Sequence, residues 1–270
     1  MDNQLQEKYE ALKDALRSYG KVAVAYSSGV DSTFLLKVAH DTLGENAIAV
    51  TAISESFLSR ESEEANEFCK SEGIEHIKVK TNELETDAFK NNPPDRCYHC
   101  KKSIFSKVIN IANEHGISVV CDGSNKDDEG DYRPGIKALK ELGIESPLKN
   151  LGFTKADIRA LSKELNLPTW NKSAYACLAT RFPYGNPITR EGLIMVDKAE
   201  NFLYDSGFHQ VRVRIHGKIA RIEVLPEDIN KFLDEGFRNL VYDRFKEAGF
   251  EYVSLDLKGY RMGSMNEVLK

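Results

Sequence analysis

The sequence lacks the features of secreted, membrane-spanning and strongly nucleic-acid-binding proteins. Its N-terminal residues contain no apolar signal core, and no apolar run approaches the roughly 20 residues that a membrane-spanning helix requires. We therefore expect a cytoplasmic protein with no membrane partner. Positive charge is not in excess: the chain has 37 Lys and Arg residues and 42 Asp and Glu residues, so its formal net charge is −5. This balance argues against broad, non-specific binding to nucleic acid.

Cysteine is scarce, with five residues in a chain of 270. An odd number in a chain without a secretory signal argues against a disulfide framework and favours metal or redox roles. Cys69 in a predicted helix and Cys121 in a predicted strand are interpreted as small buried hydrophobic residues. Cys97, Cys100 and Cys177 are left as candidates for chemistry.

The spacing of these three cysteines leaves several kinds of site open. Cys97 and Cys100 form a C-x-x-C at the start of a predicted helix, where the helix dipole favours thiolates. A redox pair, a zinc site with further ligands, or an iron–sulfur cluster held by three cysteines with one open iron all fit. His99 lies between the two cysteines and is expected to point away from them.

A Walker-type phosphate loop is also missing, but another phosphate loop candidate follows the first predicted strand. Apolar residues 21–26 predict a buried strand, and residues 32–40 predict a helix. The small residues between them let backbone N–H groups approach an anion at the helix N-terminus; they are Ser27, Ser28 and Gly29.

Two polar residues follow in the same candidate loop. Asp31 and Ser32 are predicted to cap the helix. Because a carboxylate repels phosphate, Asp31 is expected to meet it through Mg²⁺ or to organise the loop. The alternative is an ordinary strand–turn–helix corner in which Ser and Asp are only good capping residues.

Helical and strand patterns alternate along the first part of the chain. The predicted helices cover residues 5–18, 59–72, 98–115 and 154–165, and the further strands cover residues 47–53, 74–79 and 118–122. This alternation predicts an α/β fold, a parallel sheet with helices on both faces. Ligands then bind at the carboxyl ends of the strands, where Ser27 and residues 122–125 fall.

Residues 123–147 have the composition of a loop. Three acidic residues are candidates to hold Mg²⁺ or to position a substrate, namely Asp127, Asp128 and Asp131. Arg133 is a candidate to hold a carboxylate or phosphate with two hydrogen bonds. The alternative is a solvated acidic loop, although a long loop at this edge of a parallel sheet favours function.

The pattern changes from about residue 186. Helices are predicted over residues 189–206 and 226–248, and strands over residues 211–215, 220–224 and 252–257. Short strands joined by a tight turn indicate a small α+β domain, so we predict two domains, residues 1–185 and 186–270. Arg212 and Arg214 share one face of a strand, and the alternative to a functional role is a solvated face that pairs with Glu223.

Several segments carry a family resemblance. Residues 27–32 resemble the S-G-G-x-D-S signature of PP-loop ATP pyrophosphatases, with Ser28 in place of the first glycine. More specific resemblance is to the LarE family, the PP-loop sulfurtransferases of nickel-pincer nucleotide cofactor synthesis. It is carried by residues 131–135, 170–172, 177–185 and 211–214.

The resemblance implies a reaction, its cofactors and its partners. ATP with Mg²⁺ would adenylate a carboxylate of pyridinium-3,5-biscarboxylate mononucleotide, and a sulfur nucleophile would displace AMP. Some family members sacrifice one cysteine, at about the position of Ala176. With Cys97, Cys100 and Cys177 all present, this chain resembles the members that bind a [4Fe-4S] cluster. In such members a separate sulfide donor is the partner that supplies the sulfur. Family members assemble as homo-oligomers, which implies the same here.

The resemblance also implies roles for individual residues. The catalytic group comprises the three cysteines with Asp31, and the ATP-binding group comprises Ser27, Ser28, Gly29, Asp31, Ser32, Asp127 and Asp128. The substrate-binding group comprises Asp131, Arg133, Arg181, Arg212 and Arg214. Glu200 and Glu223 resemble acidic positions near the family's site and are candidates to bind a metal.

Three alternatives stand beside this interpretation. One is an iron–sulfur-dependent tRNA thiolation enzyme of the PP-loop superfamily, which should carry a basic RNA-binding surface. A second is an amidotransferase-type synthetase, which would not need the three cysteines. The third is a non-catalytic, zinc-stabilised nucleotide-binding module.

Overall fold

A computed structural model of the chain describes residues 3–54, 56–128, 134–173, 175–261 and 263–265. Two units are distinguished: the first spans residues 1–54, 61–83 and 95–174, and the second spans residues 55–60, 84–94 and 175–270. The second unit thus takes in two early segments and begins its main part eleven residues before the boundary predicted at 185/186.

The helices, in chain order, are α1 (Asn3–Tyr19), α2 (Val30–Leu43), α3 (Ser59–Glu72), α4 (Asp87–Lys90), α5 (Arg96–Glu114), α6 (Pro134–Glu141), α7 (Pro147–Asn150), α8 (Lys155–Glu164), α9 (Arg190–Asp205) and α10 (Glu235–Ala248). Short 3₁₀ segments cover Gly44–Asn46, Glu83–Glu85, Lys126–Asp128, Leu178–Arg181 and Pro226–Leu233. The strands are β1 (Val22–Ala25), β2 (Ala47–Ile53), β3 (His76–Lys80), β4 (Val119–Cys121), β5 (Val211–His216), β6 (Ile219–Val224) and β7 (Tyr252–Leu255).

The first unit is built on a four-stranded sheet with the order β3-β2-β1-β4. Every pairing in it is parallel, as the alternating pattern predicts. β1 and β4 are neighbours, and Val24 is in register with Cys121, so the two strands end at nearly the same level. The loops that follow them therefore begin side by side at the carboxyl edge of the sheet.

Side chains of this sheet alternate between two covered faces. Val22 and Val24 pack into one hydrophobic core with residues of α1, α2 and α8. Ala23 lies between them, is fully buried and points to the other face. α5 contacts β1, β2 and β4, and the buried residues that it contributes include Ile104 and Val108. Burial on both faces explains why β1 is a continuous apolar run.

The second unit contains a three-stranded sheet with the order β5-β6-β7. β5 and β6 are antiparallel, and Gly217 in the turn between them has a positive φ of 62°. β7 joins β6 in parallel, and α9 contacts β5. This is the α+β arrangement that the sequence pattern predicts for the C-terminal part of the chain.

Two predictions of where helices lie are wrong. The predicted loop over residues 123–147 contains the helix α6, which begins at Pro134 and buries Ala138 and Leu139. Its loop-like composition masked a short amphipathic helix that starts with proline. The helix predicted over residues 226–248 is interrupted at Asp234, whose carboxylate accepts a hydrogen bond from Phe237 N at 2.7 Å. Asp234 thus caps α10, and the residues before it form a 3₁₀ segment.

Other local predictions are confirmed. Thr154 forms a capping box with Asp157 at the start of α8, since each side chain accepts a hydrogen bond from the other's backbone N–H. β2 and α3 begin and end at the predicted residues. In the described part of the chain, no helix has the length and apolar character needed to cross a membrane.

Candidate functional site

The loop after β1 presents backbone N–H groups at the start of α2. Helix α2 begins at Val30, and its N-cap is Gly29, which makes no capping bond through a side chain. The prediction that Asp31 and Ser32 cap this helix is therefore wrong, because the helix starts before both residues and they lie in its first turn. The first N–H groups of a helix have no partners within it, which makes this turn a suitable place for an anion.

Serine hydroxyl groups hold the loop in a tight turn. Ser32 Oγ lies 3.2 Å from Gly29 O, to which it donates, and 3.3 Å from Ser27 N, from which it accepts. The hydroxyl groups of Ser27 and Ser32 are 3.1 Å apart. Ser32 is 5% exposed, so its hydroxyl bonds within the loop rather than to solvent. The loop is thus pre-organised by its own side chains.

Ser28 has an unusual backbone conformation. Its φ of 52° lies in the left-handed region, and the residue is 1% exposed. That region costs a non-glycine residue about 1–2 kcal/mol. Lys172 Nζ lies 2.9 Å from Ser28 O and donates to it, and Lys172 also contacts the Glu64 carboxylate.

The loop after β4 packs directly on the first turn of α2. A Cβ atom on Gly123 would lie 2.9 Å from Ser32 N and 3.1 Å from Ser32 Cα, so only glycine fits. The carboxylate of Asp122 accepts hydrogen bonds from the hydroxyl groups of Ser124 and, at 2.5 Å, Ser146. This network fixes the loop against the candidate phosphate site.

Asp31 has two partners from distant segments of the first unit. Lys155 pairs with its Oδ2 atom, and Asn125 Nδ2 donates to its Oδ1 atom at 3.3 Å. The side chain of Asp31 keeps 20% of its surface exposed. The structure thus brings a carboxylate, an ammonium group and an amide together beside the first turn of α2.

The predicted acidic residues of the β4 loop take local roles in the structure. Asp127 Oδ2 accepts a hydrogen bond from Lys155 N at 2.8 Å, and Asp128 Oδ2 accepts one from Asn125 N at 3.0 Å. Their metal-binding or substrate-binding role stays a prediction. Asp131 and Arg133 lie outside the described residues.

Sequence reasoning missed Lys155 and the contact of Lys172 with the loop. Lys155 is the first residue of α8, where the positive end of the helix dipole disfavours a cation. That local mismatch is a usable signal, because residues that break a local rule are often functional. Lys172 lies in residues 170–172, one of the segments that carry the family resemblance, but no role was predicted for it.

Cys97 and Cys100 lie in the first turn of α5 and are half-buried. Their i, i+3 spacing places them on the same side of the helix. A guanidinium nitrogen of Arg96 donates to Cys97 Sγ at 3.7 Å. His99 instead pairs with Asp95 at 3.2 Å, in agreement with the prediction that it points away.

The other two cysteines of the first unit are structural. Cys69 is 1% exposed and Cys121 is fully buried, as predicted. Burial raises the pKa of the Cys69 thiol to about 12, and it also raises the pKa of Cys121, with a smaller contribution from Glu145. Both groups are neutral thiols at pH 7, and within the described residues, which include all five cysteines, none forms a disulfide bond.

Cys177 belongs to the second unit and is half-buried. It immediately precedes the 3₁₀ segment Leu178–Arg181. Its carbonyl oxygen accepts hydrogen bonds from Thr180 N at 2.9 Å and from Arg181 Nη1 at 3.3 Å, and Arg181 Nη1 also donates to Ala176 O at 2.8 Å. Arg181 thus fixes the backbone on which Cys177 is placed.

Arg181 is fully buried against Glu200. Its Nε and Nη2 atoms each lie 2.7 Å from one Glu200 oxygen, and Glu200 also accepts from Val213 N at 2.8 Å. Burial acts to lower the pKa of Arg181, but the Glu200 carboxylate outweighs it and the net direction is upward. These two side chains make hydrogen bonds to each other, to Thr180 Oγ1 and to backbone atoms.

Arg212 and Arg214 are buried side chains on β5, with 3% and 5% of their surface exposed. The alternative of a solvated strand face is therefore wrong, although pairing with Glu223 is present: Arg214 Nη2 lies 2.9 Å from Glu223 Oε2. Burial lowers the pKa of Arg212, and the nearby Arg181 charge lowers it further. We call Arg181, Glu200, Arg212, Arg214 and Glu223 the buried charge cluster.

The metal role of Glu200 and Glu223 stays a prediction. Both carboxylates are fully buried and paired with arginines, and Arg221 Nη2 also contacts Glu223 at 3.0 Å. Across the residues that the structure describes, no group of three or more His, Cys, Asp or Glu side chains is arranged to hold a metal ion.

Comparison with known proteins gives three informative relatives, whereas no protein-family model matches the chain. A protein of Lactiplantibacillus plantarum named pyridinium-3,5-bisthiocarboxylic acid mononucleotide synthase is 42% identical over 266 residues, 98% of this chain and 96% of the relative. An uncharacterised protein of Synechocystis is 44% identical over 98% of this chain and 99% of its own. One chain of the glutamine-hydrolysing GMP synthase of Thermoplasma volcanium is 26% identical over 58% of this chain and 56% of its own.

The fit of Gly123 against Ser32 gives a testable prediction. The substitution Gly123→Ala forces backbone atoms apart, and overpacking of this kind costs about 1–3 kcal/mol. We expect the dissociation constant for MgATP, measured by calorimetry, to rise at least about tenfold.

Gly236→Ala is the matched control, because its Cβ would lie at an ordinary 3.4 Å from Asp234 Oδ1 and the residue is in α10. This variant should bind MgATP as the unaltered chain does. Unchanged MgATP affinity in a folded Gly123→Ala protein would contradict the assignment of these two loops to one site.

Proposed function

Since this chain belongs to the LarE family of pyridinium-3,5-bisthiocarboxylic acid mononucleotide synthases, we propose that it uses ATP to transfer sulfur to its substrate. The substrate is pyridinium-3,5-biscarboxylate mononucleotide, and the pathway is nickel-pincer nucleotide cofactor biosynthesis. The observation that carries this proposal is 42% identity to the Lactiplantibacillus plantarum synthase over 98% of the chain. The loop geometry at α2 supports it independently.

ATP is needed because the oxygen of a carboxylate is a poor leaving group. In the proposed first step, a carboxylate oxygen attacks the α-phosphorus of ATP, and the bond from that phosphorus to pyrophosphate breaks. A hydrosulfide sulfur then attacks the acyl carbon, the C–O bond breaks, and AMP leaves with the original oxygen. The products are a thiocarboxylate, AMP, pyrophosphate and one proton.

The first turn of α2 suits the phosphate part of this reaction. Its N–H groups and its dipole are already oriented, so they stabilise negative charge without any rearrangement of the protein. Lys155 adds an ammonium group beside Asp31 in this turn. Asp31 would hold Mg²⁺, which lets a carboxylate lie beside the phosphates of ATP.

The buried charge cluster suits an anionic substrate. Its three arginines outnumber its two carboxylates, and burial together with the nearby Arg181 charge lowers the pKa of Arg212. A phosphate or carboxylate bound there would add negative charge beside these guanidinium groups. We assign substrate binding to Arg212 and Arg214, and assign Arg181 to holding the backbone of Ala176 and Cys177.

The three cysteines would hold a [4Fe-4S] cluster, which when bound supplies an iron that lacks a protein ligand and can carry sulfide. Cys97 and Cys100 share one side of α5 and are half-buried, which suits two ligands of one cluster. Arg96 donates to Cys97 Sγ, as expected around a thiolate ligand. An external sulfide donor and a homo-oligomeric assembly complete the proposal.

The products of turnover test the reaction. With ATP, Mg²⁺, hydrosulfide and the biscarboxylate mononucleotide under anaerobic conditions, we expect equal amounts of AMP, pyrophosphate and thiocarboxylate, measured by chromatography and mass spectrometry. Asp31→Asn should reduce the rate at least about 100-fold, since it removes the proposed Mg²⁺ ligand. Asp41→Asn, at the other end of α2 and paired with Lys37, should retain activity. Release of ADP, or AMP formation independent of the mononucleotide, would contradict the proposal.

Metal content tests the assignment of the cysteines. Protein purified without oxygen should contain about four irons and four labile sulfides per chain, with the absorption of a [4Fe-4S] cluster. Cys177→Ala should lose most of both, whereas Cys69→Ala should retain them because that thiol is buried and neutral. Zinc in the unaltered chain, or full iron content in Cys177→Ala, would refute the three-cysteine cluster.

A further inference from the structure

Ser28 stands out among the residues with a left-handed backbone. Three non-glycine residues of the described chain have a positive φ: Ser28, Asn92 and Asn166. Asparagine tolerates this region because its short amide can bond to nearby backbone, whereas serine has no such preference. Some contact other than local propensity must therefore stabilise Ser28 in this conformation.

Lys172 provides that contact. Its ammonium group donates to Ser28 O at 2.9 Å and approaches Ser28 Oγ at 3.3 Å. Both the carbonyl and the hydroxyl of the strained residue are thus held by one side chain. The side chain of Lys172 is only 11% exposed, so water competes weakly for these bonds.

The surroundings of Lys172 keep it in place. Arg159 Nη2 donates to Lys172 O at 2.8 Å, and Lys172 N donates to Thr169 O at 3.0 Å. The Glu64 carboxylate pairs with the ammonium group. The backbone and the charge of Lys172 are therefore both fixed before any ligand binds.

The contact also sets the direction of a neighbouring N–H group. In a trans peptide the C=O and the following N–H point in opposite directions. With Ser28 O directed at Lys172, the N–H of Gly29 is directed away from Lys172. Gly29 is the N-cap of α2, so this N–H belongs to the group that would receive phosphate oxygens.

We propose that Lys172 is a positioning residue that holds Ser28 in the left-handed conformation and thereby orients the phosphate loop. The proposal rests on the proposed function of this loop as the ATP site. Lys172 acts through the backbone of Ser28 rather than by contact with the phosphates. Glycine at position 28 should make the lysine dispensable, because glycine adopts a positive φ without a steric penalty.

A double-mutant cycle tests this coupling. Lys172→Met should raise the dissociation constant and the KM for MgATP about tenfold, equivalent to about 1.4 kcal/mol. The turnover number at saturating MgATP should fall less than about threefold, because the loop can still close around bound ATP. Adding Ser28→Gly to Lys172→Met should restore most of the affinity. Lys70→Met, at an exposed position of α3, is the control and should change nothing.

One further variant, Lys172→Gln, separates positioning from direct phosphate contact. Lys172→Gln retains a donor for Ser28 O without the charge, so it should keep more affinity than Lys172→Met. A lysine that contacts phosphate directly would instead give equal losses in both variants, a large fall in turnover number, and no rescue by Ser28→Gly. Either of these last two results would overturn the proposal.

A crystal structure of ligand-free Lys172→Met separates this inference from the proposed function. We expect Ser28 to leave the left-handed region in that variant, and a positive φ that persists would refute the inference. This readout does not depend on nucleotide. If the unaltered chain failed to bind MgATP, the proposed function would fail while the structure of the variant would still decide the role of Lys172.

Discussion

The register between β1 and β4 is the constraint on which the first unit depends. Val24 faces Cys121 across the ladder, so two loops leave the sheet at one level and meet over the first turn of α2. Gly123 lets them approach within backbone contact, because a Cβ there would lie 2.9 Å from Ser32 N. The carboxyl edge of a parallel sheet is a common place for ligands, and this close approach of the two loops shapes a candidate anion site there.

The second unit depends on charges placed in its interior. Arg181 and Glu200 are both fully buried, and each is paired and hydrogen-bonded. Such a pair contributes little net stability, but loss of one partner costs about 3–5 kcal/mol because a buried charge is left uncompensated. The pair therefore gives this unit a fixed geometry more than it gives stability. It fixes the backbone carbonyls of Ala176 and Cys177, which places a half-buried thiol on a rigid segment.

The sequence predicts elements well where local signals agree. Hydrophobic periodicity and capping residues locate β2, α3 and the start of α8, and the alternation of elements predicts the parallel sheet. Prediction fails where a local signal is weak or conflicting, as at α6, where Gly and Asp in the preceding residues favour a loop. Burial of Arg212 and Arg214 is also invisible in an alternating charged strand, since it depends on what covers that face.

The candidate site was predictable only in part for a related reason. Small residues and an acidic residue between a strand and a helix are a local signature, so the loop at residues 27–32 is found from the sequence. Lys155 and Lys172 reach it from positions more than 120 residues away, at separations of 124 and 144 residues. No periodicity or spacing rule connects residues so far apart. Their positions beside the loop follow from tertiary packing.

The proposal that a cluster iron carries the transferred sulfide implies that this chain would transfer sulfur repeatedly and keep the sulfur of its own cysteines. Intact-protein mass spectrometry after anaerobic turnover, with thiocarboxylate quantified in the same sample, tests it most directly. We expect more than one equivalent of thiocarboxylate per chain and a polypeptide mass identical to that of protein kept without ATP. A polypeptide lighter by one H₂S, with synthesis ending at one equivalent, would contradict the claim and indicate a sacrificial cysteine.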